Sequence, residues 1–343
     1  MHPLFSVAPM MELTDRHYRY LARLMSSTAC LYTEMITTGA LLYNDPARFL
    51  KYHPSEQPLV LQLGGSDPKD LAAATEIAVS AGFKEVNLNV GCPSPRVQCG
   101  GFGASLMAEP DLVAQCVAAM RQVSTIPITV KCRTGIDDID SEESLENFVK
   151  IVSEAGCDHF IVHARKAWLN GLSPKENREI PPLEYEKVYR LKEKFPWLTI
   201  TINGGIKTLE EIRHHLKNVD GVMLGREAYY NAYMLTEVDL LSFPSETFLK
   251  ISRKEVMMSY LHYMKEEVLK EVPLKQMARH LLGLFHGIPG GRFWRRLLTL
   301  SLQEPQDFFE KVEEALSKAS PGNFYCHENT SARSSRWELL PVI

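Results

Sequence analysis

The chain has 343 residues, 45% of them hydrophobic and 23% charged, with a formal net charge of −4. Such a chain suits one large core plus a small one and excludes a disordered or low-complexity protein. No apolar run approaches the roughly 18 residues of a membrane helix, and the opening MHPLFSVAPMMELTDRHY lacks the marks of a signal peptide, so a cytoplasmic protein with no membrane segment is expected.

Along the chain, short apolar runs mark eight strands: Phe5–Pro9, Leu31–Glu34, Val60–Leu63, Glu85–Asn89, Ile128–Lys131, Phe160–His163, Thr199–Asn203 and Gly221–Leu224. Helix-like stretches lie between the later ones, at Pro68–Ala81, Pro110–Val123, Ser141–Ala155, Leu183–Phe195 and Leu209–Leu216, several opened by proline or a capping serine. Alternation of this kind implies parallel pairing. Eight such units over about 240 residues match a (β/α)8 TIM barrel, whose active site lies at the C-terminal strand ends. A doubly wound sheet is the main rival, but no GxGxxG follows the first strand.

After Arg226 the pattern changes. Residues 247–319 show helical spacing without strand signals, as in Val256, Met257, Tyr260, Leu261 and Met264. The expected organisation is therefore an α/β barrel over 1–246, a small helical domain over 247–319, and a flexible, polar, turn-rich tail over 320–343. Charge is distributed unevenly along this plan: residues 1–249 carry −7, residues 250–300 carry +6 and residues 301–343 carry −3. A basic segment on an acidic body suits a polyanionic partner, although a solvated helix face gives the same pattern.

The expected strand ends deliver Pro9-Met10-Met11, Glu34, Gln62, Asn89 with Cys92, Lys131 with Arg133, His163 with Arg165, Asn203-Gly204-Gly205, and Gly225-Arg226. Polar groups at nearly every strand end would be costly to bury unpaired, so their convergence points to a ligand site. The glycine pair and Gly225-Arg226 follow strands seven and eight, where barrels commonly hold phosphate. Cys92, between Gly91 and Pro93, is placed as a thiol beside that ligand. The seven cysteines are an odd number without a CxxC pair or clustered histidines, which argues against a disulfide framework and a structural metal site.

The strings APMMELTDRHYR, LYTEMITTGAL, LQLGGSDP, VNLNVGCPS, VKCRTGIDD, FIVHARKAWLNGLSPKENREIPPL, INGGI and LLGLFHGIPGGRFWRRLL occur in this order. On these motifs the chain resembles the tRNA-dihydrouridine synthases, and within them the A subgroup, from residue 4 to about 315. Leu13 stands where an aromatic is expected and Ser105 where a second cysteine is common, and the tail beyond Ser320 is unusual.

The resemblance implies an oxidoreductase that uses FMN, reduced by NADPH, to saturate the C5–C6 bond of uridine 20, and its neighbour 20a, in the D loop of tRNA. It implies that Cys92 donates the proton to C5, since an ordinary thiol titrates near 8.5 and is mostly protonated at neutral pH. It implies that Pro9, Met10 and Met11 line the flavin ring, that Gln62, Lys131 and His163 bond its polar edge, and that Asn203, Gly204, Gly205, Gly225 and Arg226 hold its phosphate. Asn89 and Pro93 are expected to fix the Cys92 loop, and Asn89, Lys175, Arg178, Arg292 and Arg295 are the expected contacts to tRNA, with no obligate protein partner. A flavin-dependent reductase of a small pyrimidine or enone shares the cofactor constellation and stays open, although the basic helical segment speaks against it. An RNA-binding barrel without catalysis and a phosphate-binding aldolase or isomerase are more distant alternatives.

Overall fold

The computed structural model describes residues 3–242, 250–303 and 305–318. Eight parallel strands close into a barrel in chain order: β1 (Phe5–Val7), β2 (Cys30–Thr37), β3 (Leu59–Gly64), β4 (Val86–Asn89), β5 (Ile128–Arg133), β6 (His159–His163), β7 (Thr199–Asn203) and β8 (Gly221–Leu224). The expected (β/α)8 barrel is what the chain forms. Strand β1 stops at Val7, short of the expected Pro9, which has no N–H for the ladder. Strand β2 runs past Glu34 to Thr37, because the pairing with β3 shifts register between Tyr32 and Met35 and then resumes.

The helices between strands start where their caps dictate. Pro68–Ser80 follows the Asp67 cap and Glu142–Glu154 the Ser141 cap, each side chain accepting from the first-turn N–H groups. Their apolar faces, such as Leu71, Ala74 and Ala78 or Leu145, Phe148 and Val152, are buried around the barrel. Inside, the barrel is divided. Ala8, Cys30, Tyr32, Val60, Ile161 and Met223 form an apolar cluster. Gln62, Asn87, Thr129 and Thr201 make a buried polar sector on β3 to β7.

By its contacts the chain forms two compact units, residues 1–286 and residues 287–343. In the first, the helix Arg253–Val268 packs on the helix Arg16–Met25: Tyr20 and Tyr263 stack at 3.9 Å, and His17 Nδ1 lies 2.8 Å from the Tyr263 hydroxyl. In the second, the described residues form the helices Gly291–Ser301 and Phe308–Lys318, with Trp294, Leu298, Phe308 and Val312 buried. The expected tail over 320–343, with Cys326, lies outside the described residues. Among those described, the six cysteines are free thiols and no helix is long and apolar enough to cross a membrane.

Candidate active site

A cleft of about 1710 Å³ opens at the C-terminal ends of the strands. Pro9, Met10, Met11, Gln62, Asn89, Cys92, Lys131, His163, Arg178, Asn203, Gly204, Gly205, Gly225 and Arg226 all line it. Lys175, one turn from Arg178, is exposed and does not line it. Arg292 and Arg295 belong to the second unit, three apart on the helix Gly291–Ser301.

Register brings the polar side chains into adjacent layers. Asn89 pairs with Lys131, Arg133 with His163, and His163 with Asn203 across successive strands. Lys131 Nζ donates to Asn203 Oδ1 at 3.2 Å, and Asn203 Nδ2 donates to the Met223 carbonyl at 2.7 Å. Burial and the neighbouring Arg133 pull the Lys131 ammonium down to about 8. The same causes, with burial first, push His163 well below the ordinary histidine value, so its imidazole is neutral at physiological pH.

Arg133 and Arg165 stand at the rim as strand ends in the sequence but carried no expected role. Arg133 now has one. Its Nε donates to the Gly91 carbonyl at 2.9 Å, and its Nη1 donates to the carbonyls of Lys166 at 3.1 Å and Asn177 at 2.9 Å. One buried guanidinium thus ties the Cys92 loop to the loop after β6 and to the turn that carries Arg178. Sequence could flag Arg133 only as a polar strand end, because all three partners are carbonyls, which leave no mark in residue type.

Asn89 is also occupied: Oδ1 accepts from the N–H groups of Gly91 at 3.2 Å and Cys92 at 3.0 Å, and Nδ2 donates to Gln62 Oε1 at 2.9 Å. In this arrangement it shapes the loop of the thiol. The two glycines after β7 have positive φ, +118° at Gly204 and +74° at Gly205. A Cβ on Gly204 would lie 2.6 Å from the His163 ring, and one on Gly205 would lie 2.6 Å from Leu183. Only glycine fits both the conformation and the space.

The electrostatics favour an anion. Eleven Lys and Arg residues line the cleft against five Asp and Glu, on a chain whose net charge is −4. Among the described residues, Lys131, Arg133, Arg165 and Arg178 have no carboxylate partner, and the buried Arg165 Nε has no hydrogen-bond partner at all. Arg226 is paired, to Glu179 at 2.6 Å, on the solvent-exposed edge.

With this geometry established, comparison with known proteins is specific. The family model for dihydrouridine synthase matches residues 6–320. The chain belongs to the dihydrouridine synthase family. As a dihydrouridine synthase family member it is an oxidoreductase. It is similar to the tRNA-dihydrouridine(20/20a) synthase of Vibrio cholerae, 55% identical over 91% of this chain and 95% of that protein. The proteins of the same name from Shewanella oneidensis and Synechocystis are 57% and 55% identical, over 86% and 87% of this chain and 88% and 89% of theirs. A solved 2-naphthoyl-CoA reductase complex shares the fold alone, with a TM-score of 0.55 and 10% identity over 72% of this chain and 51% of that one.

Proposed function

We propose that this protein reduces the C5–C6 double bond of uridine 20, and of its neighbour 20a, in the D loop of tRNA. FMN is its resident cofactor and NADPH the reductant. The observation that carries the reading is a half-buried thiol, Cys92, in a glycine-tight, cation-lined cleft of a dihydrouridine synthase chain. Relatives named for positions 20 and 20a, more than half identical over nearly the whole chain, support the choice of uridine.

The residues fit a flavin mononucleotide. Its phosphate needs a cationic pocket with close backbone approach, which Asn203, Gly204, Gly205, Gly225 and Arg226 offer. Its planar ring needs an apolar wall, offered by Pro9, Met10 and Met11. The polar edge of that ring needs donors, offered by Gln62, Lys131 and the neutral His163. When bound, this cofactor supplies the hydride that uracil receives at C6.

The chain's own residues do the rest. Cys92 delivers a proton to C5 from the opposite face as negative charge develops at C5 and the C4 carbonyl. Lys131 lends positive potential within the cleft, where its partial burial weakens the screening by water. Arg178, unpaired and on the cleft wall, engages the phosphodiester or the base of the entering nucleotide. A uridine stacked in folded tRNA must be flipped out to reach this floor, at a cost of about a few kcal/mol. Arg292 and Arg295, with Lys175, offset that cost through phosphate contacts.

The test is to reduce the purified protein anaerobically, mix it with tRNA lacking dihydrouridine, and follow flavin reoxidation against free uridine. Rapid reoxidation by tRNA alone is the expected result. Reoxidation by the free pyrimidine alone would make it a small-molecule reductase, and a protein without flavin would end the proposal.

A further inference from the structure

A single file of hydrogen bonds crosses the barrel interior from the cleft to the opposite mouth. Its cleft end is Asn89 Oδ1, which accepts from the Gly91 and Cys92 N–H groups. Asn89 Nδ2 donates to Gln62 Oε1 at 2.9 Å, and Gln62 Nε2 to Asn87 Oδ1 at 2.8 Å. Asn87 Nδ2 then donates to Thr129 Oγ1 at 3.0 Å, and the Thr129 hydroxyl to Glu85 Oε1 at 3.0 Å. Every link donates in the same direction. Asn87 and Thr129 are 0% exposed and Gln62 is 1% exposed, so water does not stand in for a lost partner.

The shared direction has a cause at each end. Backbone amides only donate, and an ionised carboxylate only accepts. Between them, each carboxamide could be turned over, exchanging its oxygen and its NH2, and a hydroxyl donates either way. A turn at one link sets two donors or two acceptors face to face at the next, so the carboxamides keep one orientation together. Glu85 immediately precedes β4 and lies four residues from Asn89, about 13 Å at roughly 3.3 Å per strand residue. Burial raises its carboxyl to about 7; the Thr129 bond opposes that rise and the charge of Asp158 adds to it.

We infer that Glu85 is a positioning residue for Cys92. In its ionised form it is the acceptor-only end of the file, fixing the orientation of three carboxamides and so presenting the Asn89 oxygen that holds the Cys92 loop. It acts from the far mouth of the barrel and touches neither substrate nor cofactor. Its consequence for turnover rests on Cys92 being the proton donor; its hold on the loop does not.

The test uses the full-length, flavin-loaded protein in four forms beside wild type: Thr129→Val, Thr129→Ser, Glu85→Gln, and Thr129→Val with Glu85→Gln. Assays run above pH 8, where Glu85 is ionised: valine keeps the shape of threonine and cuts the file, serine keeps the link, and glutamine replaces a carboxylate that only accepts by a group that presents either end. Iodoacetamide alkylation of Cys92 is measured against exposed Cys99 by mass spectrometry, together with melting temperature and with kcat and KM on tRNA lacking dihydrouridine. The expected result is a change in the Cys92:Cys99 alkylation ratio of about threefold or more in Thr129→Val and in Glu85→Gln, with no further change in the double variant and recovery in Thr129→Ser. The kcat falls in step while KM for tRNA holds. Additive effects in the double variant overturn the inference. So does a lowered melting temperature with an unchanged alkylation ratio, which is what a merely structural polar cluster gives. A changed ratio with unchanged kcat supports the hold on the loop and removes Cys92 from the chemistry.

Discussion

Replacing Lys131 by methionine should make the cofactor-free protein more stable while destroying its activity. The ammonium is held at about 8 against an ordinary 10.5, because burial and Arg133 both oppose its charge. At about 1.36 kcal/mol per unit, that difference makes the charge cost about 3.4 kcal/mol at neutral pH. Methionine removes the cost but also the bond to Asn203 Oδ1, a loss of about 1.5–3 kcal/mol. The net expectation is a gain of about 1 kcal/mol, or roughly 2 °C in melting temperature for a chain of this size. The sign of the pH dependence follows from the depressed value. Between the folded value near 8 and the unfolded value near 10.5, the unfolded chain binds the extra proton, so wild type gains stability relative to Lys131→Met across that window. Thermal unfolding of both cofactor-free proteins at pH 7 and pH 10 measures the difference. A variant that melts lower than wild type at pH 7, or an advantage indifferent to pH, would refute the view that Lys131 stores electrostatic strain for an anion to relieve.

Cys92→Ala should retain flavin by absorbance yet lose turnover on tRNA by about two orders of magnitude or more, the usual worth of a positioned acid; loss of flavin itself would mean the thiol is misplaced. Gly204→Ala forces a Cβ to 2.6 Å from His163 at a φ of +118°, so purified protein should carry little flavin and melt lower, which absorbance and calorimetry report. Arg292→Ala with Arg295→Ala should weaken tRNA binding at every salt concentration and flatten the log–log salt slope by about 1.4–2, leaving flavin content intact; an unchanged slope in filter binding would exclude both as phosphate contacts. Arg178→Ala should raise KM for tRNA with flavin content unchanged, and steady-state kinetics separate this from a loss of cofactor.

The barrel was legible because its strands are near-continuous apolar runs closed by polar or glycine residues, and its helices begin at residues whose caps are local. Thr199–Asn203 and Gly221–Leu224 end where sequence places them, since Asn-Gly-Gly and Gly-Arg break the ladder themselves. The extension of β2 to Thr37 was not legible: Glu34 interrupts the apolar run, and only pairing with β3 carries the strand past it. In the same way, the helix Arg253–Val268 reads as the start of a separate domain by its spacing. The stacking of Tyr263 on Tyr20 belongs to the barrel unit instead, and that contact spans more than 240 residues.

What the sequence by itself determined was the element order, the family, and the residue types at the strand ends, because periodicity, capping and motif spacing are properties of neighbours along the chain. Tertiary structure decided which of those residues share a purpose. Register sets Asn89 beside Lys131 and Arg133 beside His163, and closure of the barrel brings the charges of Lys131 and Arg133 into one cleft. It also linked Asn89, which holds the Cys92 loop, to Glu85 at the far mouth. Asn89 reaches amides only two and three residues on, so its hold on the loop is local; its link to Glu85, and the burial and neighbouring charges that keep His163 neutral, join strands far apart in sequence and leave no local pattern to read.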